Sequence, residues 1–153
     1  MDRIIHLALA DEHKIFRDGI RVAMKSRDYI RIIWEAEDNK DMMKKLKLKT
    51  PDVLLMDIRM PETEAIKDLQ SIKKDYEEVK IIVFSMYNDK ETIRQMMEYG
   101  ANAYLTKTTN ADEIYKAIIT CIKDDFYFND LVNAAVLFKL QEKNCKKILS
   151  RAG

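Results

Sequence analysis

Short apolar runs alternate along most of the chain with longer stretches of helical spacing. Residues 4–10 are almost wholly apolar and read as a buried strand. Residues 12–25 follow with Ile15, Phe16, Ile20 and Met24 spaced to share one helix face. Residues 29–36 are rich in β-branched and aromatic side chains and predict a second strand. Residues 39–48 predict a helix capped by Asp38 or Asn39, and Thr50-Pro51-Asp52 a turn. A third strand at 53–56 leads to a helix at 64–76 built on Ile66, Leu69 and Ile72, then to a fourth strand at 79–84. Asn88 with Glu91 has the spacing of a capping box, opening a helix that runs to Tyr99. Gly100 stands where a helix end favours a left-handed residue. A fifth strand at 103–105 precedes a helix opened by Asn110 and Glu113. That helix carries Ile114, Ala117, Ile118, Cys121 and Ile122 on one face.

Five strand–helix units in regular alternation predict an α/β fold, a five-stranded parallel sheet covered on both faces. The strands agree, because a strand buried on both sides reads as a continuous apolar run. Residues 126–153 have another character. Phe126 to Asp130 is an aromatic turn, and 131–149 has helical spacing with an excess of lysine. The lysines read as a solvated helix face or linker, since no nucleic-acid-binding motif accompanies them.

Composition narrows the function classes. The 153 residues suit one domain with a short appendage, 1–125 followed by a linker at 126–153. With 27 Lys and Arg against 26 Asp and Glu, the net charge is +1, too small for bulk attraction to nucleic acid or anionic membrane. Cys121 and Cys145 are too few for a disulfide scaffold or a four-cysteine zinc site. They read as reduced thiols, or at most one disulfide. No apolar run is long enough for a membrane span and no signal-peptide core is present, so a cytoplasmic location is expected.

The polar residues fall in an informative place. Ligands of an open parallel sheet bind outside the carboxyl ends of its strands. Asp11 and Glu12 follow the first strand, Asp57 the third, Ser85 closes the fourth, and Lys107 lies just past the fifth. Each alone has a plain structural explanation: a helix-terminal acid, a loop cap, a strand-end hydroxyl, a surface lysine. Together they place three carboxylates, a hydroxyl and an ammonium at one sheet edge. Carboxylates with ordinary pKa values near about 4 repel one another at neutral pH unless a cation sits among them. Oxygen ligands of this kind suit Mg2+. A metal, a lysine, a hydroxyl and a nucleophilic Asp57 suit phosphoryl transfer to give an acyl phosphate. His13 follows the acidic pair and either assists a metal or lies on the exposed first turn of the helix. His6 reads as structural within the first strand.

Ala10-Asp11-Glu12-His13, Leu54 to Pro61, Val83-Phe84-Ser85 and Gly100 to Lys107 together resemble the receiver domain of bacterial response regulators, over about residues 3–125. Phe16-Arg17-Asp18-Gly19, Tyr104-Leu105-Thr106-Lys107 and Ala111 to Ile118 resemble its NarL/FixJ (LuxR-type) branch. The resemblance implies a flavodoxin-like, CheY-like sheet of strand order 2-1-3-4-5. It also implies a phosphorylation switch rather than an enzyme with an external substrate. A sensor histidine kinase would pass its phosphoryl group to Asp57. Mg2+ would be held by Asp11, Glu12, Asp57 and the backbone carbonyl of Arg59. Ser85 and Lys107 would bind phosphoryl oxygens, and Tyr104 would be the aromatic switch. A homodimer is a family expectation. DNA binding would reside in a helix-turn-helix output domain beyond the linker.

Three residues depart from the family pattern. Glu12 replaces the more usual second Asp. Ala65 stands where Gly is usual, a strained position if its φ is positive. Thr108 follows Lys107 in place of the common Pro, implying a trans bond or a strained loop. Two other functions compete. A phosphorylation-independent interaction module of the same fold is one. A dehalogenase-type phosphatase is the other, but it needs Asp-x-Asp after the first strand.

Overall fold

The computed structural model describes residues 3–58 and 62–135. Its elements are β1 (Ile5–Ala10), α1 (Lys14–Lys25), β2 (Ile30–Ala36), α2 (Asn39–Leu48), β3 (Val53–Asp57), α3 (Glu62–Asp75), β4 (Lys80–Ser85), α4 (Lys90–Glu98), β5 (Ala103–Thr106) and α5 (Ala111–Asp124). The strands form one sheet in the order β2-β1-β3-β4-β5, every pair parallel. The expected α/β architecture and strand order are therefore those observed.

Alternate residues of each strand face opposite sides, which splits the core in two. Ala8, Leu54, Met56, Ile81 and Val83 pack with Met42 and Leu46 of α2, Leu69 and Ile72 of α3, and Ile93 and Met96 of α4. Leu7, Leu9, Val53, Leu55, Ile82 and Phe84 pack with Ile20 and Met24 of α1 and Ile114, Ala117, Ile118 and Cys121 of α5. Cys121 is a free thiol, and burial pushes its pKa up to about 12.

Several boundaries differ from the sequence reading for local reasons. Helix α1 starts at Lys14 with His13 as its cap, and Ile15 is 87% exposed. Phe16, Ile20 and Met24 make a one-in-four stripe, and Ile15 lies about 100° around the helix from Phe16. The cap of α4 is Asp89, whose Oδ2 accepts from the Thr92 N–H at 3.1 Å and its hydroxyl at 2.6 Å, rather than Asn88. Asp38, the first of the two candidates, caps α2 by accepting from the Asp41 N–H, and Asn110 caps α5 through the Glu113 N–H. Ala65 lies within α3 and is buried. Among the described non-glycine residues only Asp125 has a positive φ, so Ala65 carries no such strain. At Thr108 the chain turns, closed by the Thr109 N–H on the Thr106 carbonyl at 3.0 Å.

Beyond α5 the chain stays on the body of the protein. The Tyr127 N–H donates to the Asn102 carbonyl, and the Asn102 side chain donates to the Asp125 carbonyl at 2.7 Å. Residues 130–135 are helical. Val132 and Ala135 are fully buried in the cluster that holds Ile93, Met96 and Tyr104. The rest of the expected linker, 136–153, lies outside the described residues.

Candidate functional site

The parallel sheet brings the ends of β1, β3, β4 and β5 to one edge, and the expected polar residues arrive with them. Asp57 and Ser85 are the last residues of their strands, while Asp11 and Lys107 immediately follow β1 and β5. Lys107 Nζ donates to Asp11 Oδ2 at 2.6 Å and lies 3.0 Å from Asp57 Oδ1. All three side chains are nearly buried. Two things hold the lysine. Its own N–H donates to the Ser85 carbonyl at 3.0 Å. Its ammonium stands 4.7 Å from the centre of the Phe16 ring, which is edge-on to Phe84. Phe16, read from spacing as a core residue of α1, is thus also a wall of the site.

The Asp57 carboxyl is held above the usual carboxylate range. Burial is the main cause, the Asp11 charge adds to it, and the Lys107 ammonium opposes it. Asp11 Oδ1 accepts from the His13 N–H at 2.8 Å and lies 3.1 Å from His13 Nδ1. Glu12 is more exposed, with Oε1 3.6 Å from His13 Nε2. Beside these groups opens a cleft of about 440 Å3, lined by Asp11, Glu12, Asp57, Glu64, Ala65 and Asp68 among others. Asp68 is also held above its ordinary value, by burial and by the neighbouring Glu64 charge. Sequence reasoning missed Glu64 and Asp68. They come from the start of α3, and only the packing of that helix aims them at the ends of β1 and β3.

The remaining expected residues form a second group. Ser85 is fully buried, and its Oγ accepts from the Tyr87 N–H at 2.9 Å. Tyr104 is fully buried, with its hydroxyl donating to the Tyr87 carbonyl at 2.6 Å. Arg59, expected to offer a backbone carbonyl, lies outside the described residues.

The donor set fits a divalent cation. Asp11, His13 and Asp57 each offer one ligand atom, and the three atoms lie within 4.8 Å of one another. The Asp11 charge, which adds to the effect of burial on Asp57, is what a cation there would offset. Glu12, expected as a direct ligand, lines the same cleft, and His13 stands in the cluster with Asp11 and Asp57.

Residues 7–119 match the response regulator receiver domain. The chain belongs to that family. Its curated relatives are transcriptional regulators and response regulators. DegU of Brevibacillus brevis is 26% identical over 128 residues, 84% of this chain and 54% of that protein. LnrK of Bacillus subtilis is 31% identical over 117 residues, 76% of this chain and 53% of that protein. LiaR of Bacillus subtilis is 30% identical over 138 residues, 90% of this chain and 65% of that protein. The chain therefore spans between half and two thirds of the length of these relatives. Among solved structures, the signal receiver domain of the putative response regulator NarL from Mycobacterium tuberculosis is 26% identical, with a TM-score of 0.72. The match covers 80% of this chain and 98% of that one. A LuxR-family two-component response regulator from Aurantimonas sp. SI85-9A1 shares the fold at a TM-score of 0.79 and 23% identity, over 89% and 97% of the two chains. Of these two structures, the NarL receiver is thus the relative that shares more than the fold, and the receiver is a component of two-component systems. No helix among the described residues is long and apolar enough to cross a membrane.

Proposed function

We propose that this receiver is switched by phosphorylation of Asp57 from the phosphohistidine of a sensor histidine kinase. The observation that carries the reading is the bridge from Lys107 to both Asp11 and Asp57 at the mouth of an acidic cleft. In the proposed step an Asp57 carboxylate oxygen attacks phosphorus. The P–N bond breaks, and the leaving imidazole keeps the bonding electrons and takes up a proton. The product is an acyl phosphate on Asp57. Lys107 neutralises charge on a phosphoryl oxygen, and Ser85 donates its hydroxyl to another. Asp11, Asp57, the Arg59 carbonyl and Glu12 would hold Mg2+, which supplies countercharge for the incoming phosphoryl oxygens. The protein's contribution is position: strand ends hold nucleophile and ammonium in one geometry before the donor arrives.

The new group favours whichever conformation gives it contacts, so phosphorylation shifts a pre-existing equilibrium, with Tyr104 as the aromatic switch. In the parent protein this would control an output domain that binds DNA, with a second copy of the chain as a further partner. Incubation with Mg2+ and acetyl phosphate tests the reading. One phosphoryl group should be gained by mass, and Asp57→Asn should gain none. A gain that survives Asp57→Asn, or none in the unaltered chain, refutes it.

A further inference from the structure

Two kinds of partner meet at the Lys107 ammonium. The Asp11 and Asp57 carboxylates lie 2.6 and 3.0 Å from it, and the face of the Phe16 ring has its centre 4.7 Å away. The ring is itself held. Phe84 stands edge-on to it, with ring centres 5.3 Å apart and planes at 63°. Phe84 is buried and immediately precedes Ser85 at the end of β4. β4 therefore fixes the lysine at both ends. The Ser85 carbonyl takes its backbone N–H, and Phe84 braces the ring beside its ammonium. The space left between Phe16, Phe84, Asp11 and Asp57 is about 10 Å3, room for one water at most, so the ring has little freedom to turn.

Core packing alone does not ask for an aromatic residue here. Phe16 continues the α1 stripe of Ile20 and Met24, and any apolar side chain of similar size would fill it. An aliphatic side chain lacks the negative face of a π system, which attracts a cation. That attraction grows when the cation is withdrawn from water, and the Lys107 side chain is only 9% exposed. A lysine also has a long, flexible stem. Holding its head in one place costs rotamer entropy, which a further partner offsets.

We infer that Phe16 is a positioning residue for Lys107, its ring face holding the ammonium beside the two carboxylates where a phosphoryl oxygen on Asp57 would meet it. The contact stands on the geometry just described. Its effect on phosphoryl transfer rests on the reading given above, in which Lys107 neutralises charge on a phosphoryl oxygen. An ammonium already in place needs no rearrangement as that charge develops. Weakening the ring face therefore slows the transfer while Asp57 stays where it is.

Phenylalanines carrying one, two and three ring fluorines in place of Phe16 test both parts. Fluorine draws electron density from the ring face in steps and changes its shape little. Urea unfolding is measured with Lys107 present and in the Lys107→Met background, which carries any change in the apolar character of the ring alone. Across the series the unfolding equilibrium constant should rise about fivefold more with Lys107 present than without it, the weight of a partly desolvated cation on a ring face. Equal changes in the two backgrounds overturn the contact. The ε-methylene protons of Lys107 give a readout that does not depend on Lys107→Met folding. The ring current should displace them upfield in the unaltered chain and release them in Phe16→Leu, and an identical shift in both overturns the contact as well. In a second arm, the rate of phosphoryl gain from acetyl phosphate with Mg2+ is followed by mass, and it should fall about fivefold across the same series. Unfolding that responds to fluorine beside a rate that does not overturns the positioning role. No gain in the unaltered chain counts against the phosphorylation reading itself, and the unfolding arm then decides the contact alone.

Discussion

Lys107 and Asp57 come from the ends of two strands that are not neighbours in the sheet, yet the ammonium stands 3.0 Å from the carboxylate. β4 lies between them, and its Ser85 carbonyl anchors the lysine backbone. The lysine is shared with Asp11, so one cation offsets two nearly buried anions.

Lys107→Ala leaves those two carboxylates without their common countercharge. It should lower unfolding stability at pH 7.5 by about 1–3 kcal/mol, the range for an uncompensated buried polar group. The deficit should shrink toward pH 4, where protonation removes the repulsion. Urea unfolding at the two pH values measures it.

Asp57→Asn should stabilise the fold at neutral pH. The folded-state pKa of Asp57 lies above the unfolded value, so the folded chain binds more protons across that window. The contribution of Asp57 to stability is therefore full below an unfolded pKa of about 3.9 and is lost as pH rises through the folded value. An amide does not titrate. The stability of the variant relative to the unaltered chain should thus grow with pH, by about 1.4 kcal/mol for each unit of the shift. Paired denaturation curves at pH 4.5 and 7.5 would show it. Magnesium should narrow the gap by favouring the ionised carboxylate, as long as it binds the folded state alone.

Lys73 offers a second pH signature. Its ammonium donates to the Val79 carbonyl at 2.7 Å and to Asn102 Oδ1 at 2.6 Å. Burial is the main cause that brings its pKa down to about 8, and the nearby Lys80 charge adds to it. Between pH 8 and an unfolded value near about 10.4, the unfolded chain holds the proton more tightly, so stability gains from this group as pH rises, by at most about 1.4 kcal/mol per pH unit. The difference in unfolding free energy between the unaltered chain and Lys73→Met should move in that direction from pH 7.5 to 10.

Gly100 packs against the same lysine. Its φ is +123°, and a Cβ there would lie 2.7 Å from Lys73 Cγ. The lysine has little freedom to yield because its far end is held by two hydrogen bonds. Gly100→Ala should destabilise by about 1–3 kcal/mol from backbone strain alone, with more from the clash. Adding Lys73→Ala should return the clash component and leave the strain. Melting curves of the three variants separate the two.

Some of this was legible from short-range pattern. The alternation of apolar runs with helical spacing predicts the five units, and the all-apolar strands predict burial on both faces. The cap at Asn110 is written in neighbouring residues, because a cap is a contact over three positions. The cap of α4 shows the limit of that reasoning. Asn88 and Asp89 are both good caps, and the backbone entering the helix selects Asp89.

The sequence by itself determined which groups stand at strand ends, because a parallel α/β chain sends every strand the same way and so collects Asp11, Asp57, Ser85 and Lys107 at one edge. Only the tertiary structure decided which of them meet. Lys107 is shared between Asp11 and Asp57, His13 turns back on Asp11, α3 contributes Glu64 and Asp68, and the segment after α5 returns to β5 through Asn129. Apart from the local turn of His13 on Asp11, those contacts join residues tens of positions apart in the chain. Their geometry follows from the packing of helices on a sheet, which no local spacing encodes.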